Sequence, residues 1–209
     1  FRQLSDRIGP KRVIWRYDPI LFSQSMDVRY HLHGFEAIAK RLASHTQTCV
    51  ISFVDLYQKT RRNLRATTVR EPSADEITRL AAGLASIASS YGIRIQSCAE
   101  RIDLEPMGIR HGRCIDRMLI EELQGARLNV ARDRNQRPEC GCVQSVDIGV
   151  YDTCSHGCLY CYANTDTKTV CRNRGLHDLS SPLLIGRMEE GDVVKERAIR
   201  SFKVSDALF

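Results

Sequence analysis

The sequence predicts an α/β protein built from parallel (β/α) repeats, and two observations support this fold class. Short runs rich in β-branched and aromatic residues alternate with amphipathic segments along most of the chain. The run at 49–55, Cys-Val-Ile-Ser-Phe-Val-Asp, is almost continuously apolar, as in a strand that is covered on both faces. Such alternation is typical of a parallel sheet with right-handed crossovers, and four units would make half of an eight-fold barrel. We therefore expect a partial TIM-type barrel.

The individual elements follow from local patterns. The spacing predicts an amphipathic helix at 31–45, and the capping box Ser73-Ala-Asp-Glu76 predicts the start of a second helix that ends at Gly92. A polar loop is expected at 61–72. The remaining predictions are strands at 12–18 (stopped by Pro19), 49–55, 93–98 and 143–150, and helices at 113–123, 162–173 and 192–203.

Length and composition favour one globular domain over residues 1–209. Hydrophobic residues make up 43% of the chain and charged residues 27%, and no stretch approaches the length of a membrane span. We expect no membrane association and a cytoplasmic location, because the polar start at Phe1 is unlike a signal peptide. The net charge of +6 and the pI of about 8.9 are compatible with anionic small molecules and give weak support to a nucleic-acid partner, including a DNA-repair role.

Nine cysteines in a chain with this start indicate metal binding or catalysis more than disulfides. The densest group is Cys154-x-x-x-Cys158-x-x-Cys161, inside the predicted cluster-binding segment 140–172. Thiolates are soft ligands that suit iron–sulfur clusters, zinc and copper(I). Three of them can bind three irons of a four-iron cluster and leave the fourth iron open. The alternative is a structural zinc site in which Cys158 and Cys161 are completed by the Cys140-Gly-Cys142 pair.

This spacing, with Tyr160 before the third cysteine, resembles the cluster motif of the radical S-adenosylmethionine enzymes. The resemblance implies that Cys154, Cys158 and Cys161 hold a 4Fe-4S cluster whose open iron binds S-adenosylmethionine, with Tyr160 beside the adenine. It further implies an enzyme that forms a 5′-deoxyadenosyl radical on an unknown substrate and takes electrons from a donor such as a flavodoxin or ferredoxin. The hard chemistry would belong to the cofactor.

Longer segments resemble an uncharacterised family, domain-of-unknown-function family 1848. The resemblance implies that the chain is the C-terminal two-thirds of a longer protein. The cluster motif lies near the C-terminus instead of after the first strand, which implies a permuted or incomplete barrel. The segments are 12–20, 49–57, 97–100, 135–142, 147–164 and 181–186.

Other polar residues fall where function gathers in such folds, at the carboxyl ends of the strands. Arg16, Asp55 and Glu100 are the candidate catalytic residues by this placement. A second set of thiols predicts a second iron–sulfur cluster or a zinc site, or else ordinary buried thiols. That set is Cys98, Cys114, Cys140 and Cys142, whereas Cys49 and Cys171 are expected to be structural.

Two further functions from other classes stay open on the sequence alone. One is a zinc-stabilised binding module, for which the basic charge suggests nucleic acid as the partner. The other is an iron–sulfur protein that transfers electrons or senses a signal without radical chemistry. Metal analysis separates the first from the enzyme, and binding of S-adenosylmethionine separates the second.

Overall fold

The computed structural model describes residues 1–204. The chain divides into two compact units. The first consists of Phe1–Asp55 and Thr67–Gln144, and the second of Leu56–Ala66 together with the residues from Ser145 onward.

The first unit contains a parallel sheet whose spatial order is the same as its chain order, β1-β2-β3-β4. Trp15 pairs with Cys49, Cys49 with Ile95, and Gln96 with Arg110, so each strand lies beside the next one along the chain. The fold class is therefore confirmed as α/β with a parallel sheet, but the sheet is open and no closed barrel is formed within residues 1–204. The strands are β1 (Trp15–Ile20), β2 (Thr48–Phe53), β3 (Arg94–Ser97) and β4 (Arg110–His111).

Six α-helices and one 3₁₀ turn accompany the sheet in the described chain. Four of the helices begin after an Asp or Ser whose side chain accepts a hydrogen bond from a backbone N–H of the first turn. The capping box at Ser73 and Glu76 is present with both of its hydrogen bonds, as predicted. The helices are α1 (Arg2–Ile8), α2 (Val28–Leu42), α3 (Gln58–Leu64), α4 (Ala74–Ser90), α5 (Arg117–Gln124) and α6 (Thr167–Gly175), and the 3₁₀ turn is Glu105–Met107.

The main core of the first unit lies where helices α2 and α4 pack against the sheet. Phe35 of α2 is fully buried, and its ring stacks on Trp15 with centroids 4.5 Å apart. Leu80 and Leu84 of α4 are fully buried in the same cluster. The periodic apolar faces that predict these two helices are thus the faces that pack in the core.

Four predicted elements differ from the observed structure. Pro19 does not stop β1, which continues to Ile20. The predicted strand 143–150 is wrong, because only an isolated bridge between Arg132 and Val143 forms, and β4 instead comes from Arg110–His111. The predicted helix 192–203 is also wrong, and the predicted loop 61–72 begins inside α3.

The two absent elements share a physical cause. Ile148 is 83% exposed and Ile199 is 96% exposed, so the apolar side chains that suggest these elements have no surface to pack against. Most of the stability of a helix in a protein comes from packing of its apolar face, and a strand needs a neighbour for its backbone groups. A sequence pattern does not show whether a packing surface for the helix or a neighbour for the strand exists in the fold.

Within residues 1–204, the helices are all too short or too polar to cross a lipid bilayer.

Candidate functional site

Four cysteine thiols lie around the carboxyl end of strand β3 in the first unit. Cys98 directly follows β3, and its Sγ is 3.1 Å from the Sγ of Cys114, which comes from the segment after β4. The Sγ of Cys142 accepts hydrogen bonds from the backbone N–H groups of Cys114 and Ile115, at 3.2 and 3.3 Å. Cys140 belongs to the same small buried cluster as Cys142. The second predicted set of thiols is therefore brought together in the fold.

A glycine allows the segment after β4 to reach Cys98. The N–H of Gly112 donates to the carbonyl of Ser97 at 2.8 Å, and a Cβ at residue 112 would lie only 2.8 Å from that oxygen. The N–H of Cys98 in turn donates to the carbonyl of Ile51 at 2.9 Å. Both segments are thus fixed to the sheet by backbone hydrogen bonds, with Cys98 and Cys114 facing each other.

Arg16 of strand β1 places a positive charge beside these thiols. Its Nη1 donates to the Sγ of Cys114 at 3.1 Å, and its Nε donates to Asp18 at 3.2 Å. Burial acts against the charge of Arg16, but hydrogen bonds to Asp18, Cys114 and Cys98 outweigh it and raise the pKa of Arg16. The guanidinium therefore stays charged and can stabilise a neighbouring thiolate.

The two thiols of the close pair titrate in opposite directions. The hydrogen bond from Cys114 and, against burial, the hydrogen bond and charge of Arg16 lower the pKa of Cys98 to about 6. The hydrogen bond to Cys98, together with burial, raises the pKa of Cys114. These opposite directions favour the thiolate form of Cys98 and the protonated form of Cys114.

The other two candidate catalytic residues lie at the carboxyl ends of the neighbouring strands. Glu100 accepts a hydrogen bond from the backbone N–H of Phe53 at 2.7 Å. Burial raises the pKa of Glu100, and the bond from Phe53 acts in the opposite sense. Asp55 forms an ion pair with Arg137. Arg16 contacts the thiol of Cys114, Glu100 contacts the backbone of Phe53, and Asp55 pairs with Arg137. The three candidate catalytic residues therefore do not share a contact in these bonds.

An open cavity of about 550 Å³ is lined by Cys140 of the thiol group and by Glu100. Its wall carries more positive than negative side chains, which suits an anionic ligand. The charged and sulfur-bearing lining residues are Glu100, His111, Arg113, Arg117, Arg132, Glu139 and Cys140.

The Cys154–Cys161 segment, which we name the cluster loop, lies in the second unit. Cys154 and Cys158 are exposed, Cys161 is half-buried, and all three thiols are free. The N–H of Cys161 donates to the carbonyl of Cys158 at 3.0 Å, and Gly157 has a φ of +66°, so the loop makes two tight bends. The cluster loop does not follow a strand of the sheet, contrary to the prediction that strand 143–150 leads into it.

Side chains from both flanks close the base of the cluster loop. The carboxylate of Asp152 accepts hydrogen bonds from the N–H and the hydroxyl of Thr165, and the N–H of Asp152 donates to Ala163 at 2.9 Å. Asn164 Nδ2 donates to the carbonyl of Cys154 at 2.6 Å. These bonds bring the two ends of the loop together, which holds three thiols on one closed turn of backbone.

Helix α6 supports the loop from within the same unit. Asn173 Nδ2 donates to the carbonyl of Asp152 at 3.1 Å, and Arg174 Nη1 donates to the hydroxyl of Ser155 at 2.6 Å. Arg174 also lines a cavity of about 320 Å³ next to the loop. The remaining lining residues of this cavity are Thr153, Asn173, His177, Leu184 and Ile185.

The three thiols of the cluster loop are chemically suited to a metal cluster, but within residues 1–204 they are not arranged around a common point. In the conformation described, residues 1–204 hold no group of three or more His, Cys, Asp or Glu side chains arranged to bind a metal ion. Three free thiols on one loop are the soft donors that iron–sulfur clusters and zinc take. The buried Oδ1 of Asn164 has no hydrogen-bond partner among residues 1–204. A buried acceptor of this kind fits a bound donor that is not part of the chain.

Several residues that shape these sites are not predicted by the sequence. Asp152, Asn164 and Arg174 hold the cluster loop through side-chain contacts that no spacing rule indicates. Arg16 is predicted to lie at a functional edge of the sheet, but its contact with Cys114 depends on the strand order. Tyr160, the predicted adenine contact, is 36% exposed on the loop.

The model of a family described as "Domain of unknown function (DUF1848)" matches residues 1–163 of the chain. No curated protein and no solved structure gives a significant match. The matched region covers more than three quarters of the sequence and includes both the cluster loop and the four thiols of the first unit. The chain therefore belongs to the DUF1848 family.

Proposed function

We propose that the protein binds a 4Fe-4S cluster through Cys154, Cys158 and Cys161 and acts as a radical S-adenosylmethionine enzyme. The observation that carries the proposal is the cluster loop itself, in which three free thiols project from one turn of backbone closed at its base by Asp152. The motif that occupies this loop is spaced as in those enzymes. The open parallel sheet is compatible with a partial or permuted barrel.

The bound cofactors would supply the one-electron chemistry, namely reductive cleavage of S-adenosylmethionine to a 5′-deoxyadenosyl radical. The chain itself would position and shield them. Because Cys154 and Cys158 are exposed, their side chains can turn toward a common point without disrupting a core. Asn164, whose buried Oδ1 has no partner in the described part of the chain, offers an acceptor to a ligand N–H.

Arg174 is the residue that we expect to bind an anionic part of the cofactor or substrate. Its guanidinium lies against Ser155 of the cluster loop and lines the adjoining cavity. Guanidinium groups bind carboxylates through paired hydrogen bonds, so a carboxylate is the group that this position would select. Tyr160 remains the proposed contact for the adenine. The proposal includes a reducing, cytoplasmic location, which suits a chain with nine cysteines. It also includes a flavodoxin or ferredoxin as the electron donor.

The test begins with the protein reconstituted with iron and sulfide without oxygen. We expect about four iron and four sulfide per chain from the proposed cluster type. Cys158→Ser should lower bound iron to background, since a cluster held by three thiolates loses one of its anchors. Cys171→Ser is the matched control, because Cys171 is also an exposed thiol of the described chain and lies outside the loop.

The second measurement is the formation of 5′-deoxyadenosine after reduction in the presence of S-adenosylmethionine. Cleavage that depends on Cys158 supports the proposal. Zinc without labile sulfide would instead identify a zinc-stabilised binding module, for which the charge of +6 favours a nucleic-acid partner. An iron–sulfur cluster that neither binds nor cleaves S-adenosylmethionine would identify an electron-transfer or sensor protein. Either of these last two results contradicts the radical enzyme.

A further inference from the structure

We infer that Cys98 and Cys114 form a redox-active dithiol that exchanges with organic disulfides, either a small molecule such as glutathione disulfide or a protein disulfide. This inference goes beyond the proposed function and does not depend on it. It assigns to these two residues a role other than metal binding. Cys98 and Cys114 are called the thiol pair below.

The separation of the two sulfurs carries the inference. They lie 3.1 Å apart across 16 residues of sequence, and both thiols are free. A disulfide bond measures about 2.05 Å, so the two sulfurs need to approach by roughly 1 Å. The backbone bonds from Gly112 to Ser97 and from Cys98 to Ile51 fix the segments that carry the pair. The fold therefore places the two thiols for bond formation.

Access and charge distinguish the thiol pair from its neighbours. Cys114 is exposed and Cys98 is half-buried, whereas Cys140 and Cys142 are buried. Arg16 donates to Cys114 at 3.1 Å and also interacts with Cys98, which supports negative charge on sulfur. Burial raises the pKa of Cys140, which makes that thiol a poor nucleophile at neutral pH. Attack on an external disulfide is thus expected from Cys98.

The exchange has two balanced steps. The thiolate of Cys98 attacks an organic disulfide RSSR, forms the mixed disulfide Cys98–S–S–R and releases one thiolate RS⁻. Cys114 then loses its proton to solvent, and its sulfur attacks Cys98 Sγ. This step forms the Cys98–Cys114 disulfide and releases the second RS⁻. The thiol pair loses two electrons and the one proton of Cys114, and the external disulfide gains the two electrons and leaves as two RS⁻.

The hydrogen bonds of the thiol pair also shift the equilibrium between its dithiol and disulfide forms. Hydrogen bonds from Cys114 and Arg16 stabilise the thiolate of the reduced pair and have no equivalent in the disulfide. Stabilising the reduced form makes the disulfide a stronger oxidant. We therefore expect a Cys98–Cys114 disulfide that is readily reduced, as in exchange proteins, instead of a permanent structural crosslink.

Trypsin separates the thiol pair from the other cysteines, which allows a direct test on the full chain. Cys98 lies in the peptide Ile95–Arg101 and Cys114 in the peptide Cys114–Arg117. The bond before Pro138 resists trypsin, so Cys140, Cys142 and all three cluster-loop cysteines fall in one long peptide, Asn135–Lys168. After equilibration with glutathione and glutathione disulfide, acid quenching and alkylation, we expect the crosslinked pair of short peptides in the mass spectrum.

The pH dependence of alkylation tests the role of Arg16. Iodoacetamide should label Cys98 with a midpoint near pH 6, because the pKa of Cys98 is lowered to about 6. In Arg16→Gln the midpoint should move upward, toward the ordinary thiol range of about 8.5. Cys171→Ser should leave the Cys98 profile unchanged. Arg16 is partly exposed, so its replacement is compatible with folding, which far-UV circular dichroism checks.

Two results would overturn the inference. One is crosslinking of Cys98 to the long peptide that contains Cys140 and Cys142. The other is one equivalent of zinc or iron that is lost in Cys98→Ser but kept in Cys158→Ser, which would make the thiols metal ligands. Loss of iron only in Cys158→Ser concerns the proposed function and leaves the thiol pair intact.

Discussion

At the scale of single residues, side chains of this protein derive their chemistry from neighbours that are distant in sequence. Arg16 of β1 contacts Cys114, which lies 98 residues later, and the bond from Cys114 together with the charge of Arg16 lowers the pKa of Cys98. The same holds for His31, a buried histidine on α2. Its Nδ1 lies 3.0 Å from the Tyr17 hydroxyl and its Nε2 lies 2.9 Å from the carbonyl of Leu21. Leu21 can only accept, so Nε2 carries the proton of the neutral ring.

His31 should make the protein less stable in mild acid. Burial lowers the pKa of His31, partly offset by the hydrogen bond to Leu21. In the unfolded chain a histidine titrates near 6.5. As pH falls below about 6.5, His31 becomes protonated in the unfolded chain but stays neutral in the folded protein. The free energy of unfolding therefore decreases until the pH reaches the pKa of His31 in the folded protein. Urea unfolding at pH 7.5 and 5.5 measures this decrease.

The variant His31→Gln removes the titrating group and should reduce the difference in unfolding free energy between the two pH values. Its absolute stability will also fall, because the new side chain fits the buried site less well, but the readout is the pH dependence. His33→Gln, at an exposed histidine of the same helix, is the control and should keep the pH dependence of the unmodified chain. An unchanged pH dependence in His31→Gln would contradict the assignment.

At the scale of elements, caps decide where helices begin. Helix α4 starts at Ala74 because the Ser73 hydroxyl accepts from the N–H of Glu76 at 3.2 Å, while the Glu76 carboxylate accepts from the N–H of Ser73 at 2.9 Å. Arg70 forms an ion pair with the same carboxylate at 2.6 Å. Helices α5 and α6 start later than their apolar patterns suggest, since Asp116 and Asp166 are the residues that cap them.

Replacement of Ser73 by Ala should destabilise the first unit by about 1 kcal/mol, the usual effect of losing a helix N-cap. Urea unfolding at pH 7 measures the change. Ser89→Ala makes the same substitution at an exposed position inside α4 and should have no effect or a small stabilising one, because Ala is the better helix former. Equal effects of the two variants would mean that the cap does not contribute to stability.

At the scale of the whole molecule, the two compact units differ in how they are built. The first contains the parallel sheet and the main core under α2 and α4. The second contains α3, α6 and the cluster loop, which polar bonds from Asp152 and Asn164 hold at its base. Trp15, the single tryptophan of the sequence, is 6% exposed in the first core and therefore reports on that unit alone.

Truncation of the central core residue Phe35 to Ala should lower the free energy of unfolding of the first unit by about 3–5 kcal/mol, through lost burial and a cavity. Trp15 fluorescence during urea unfolding is the measurement, because its ring stacks on Phe35. Ile38→Ala, at a 37% exposed apolar residue of the same helix, should cost about 1 kcal/mol or less. A loss of similar size in both variants would place the core elsewhere.

The sequence predicts most of the first unit because its patterns are local. Alternating strands and amphipathic helices indicate the parallel sheet, and the Ser73–Glu76 signature indicates the start of α4. The short β4 at Arg110–His111 has no such pattern, since a strand of two residues is defined by its neighbour and not by its own composition. The stretch 143–150 shows the opposite case, because its strand-like pattern forms only the isolated bridge at Val143 and leaves Ile148 exposed.

The sequence by itself determined the family, the α/β class and the cysteine positions on which any metal or thiol chemistry depends, because composition, periodicity and spacing are properties of the chain. Only the tertiary structure decided that Cys98 meets Cys114 beside Arg16, and that Asp152 and Asn164 close the base of the cluster loop. The physical reason is that hydrogen bonds, burial and charge act through space. Their partners here lie 10 to 98 residues apart in the chain.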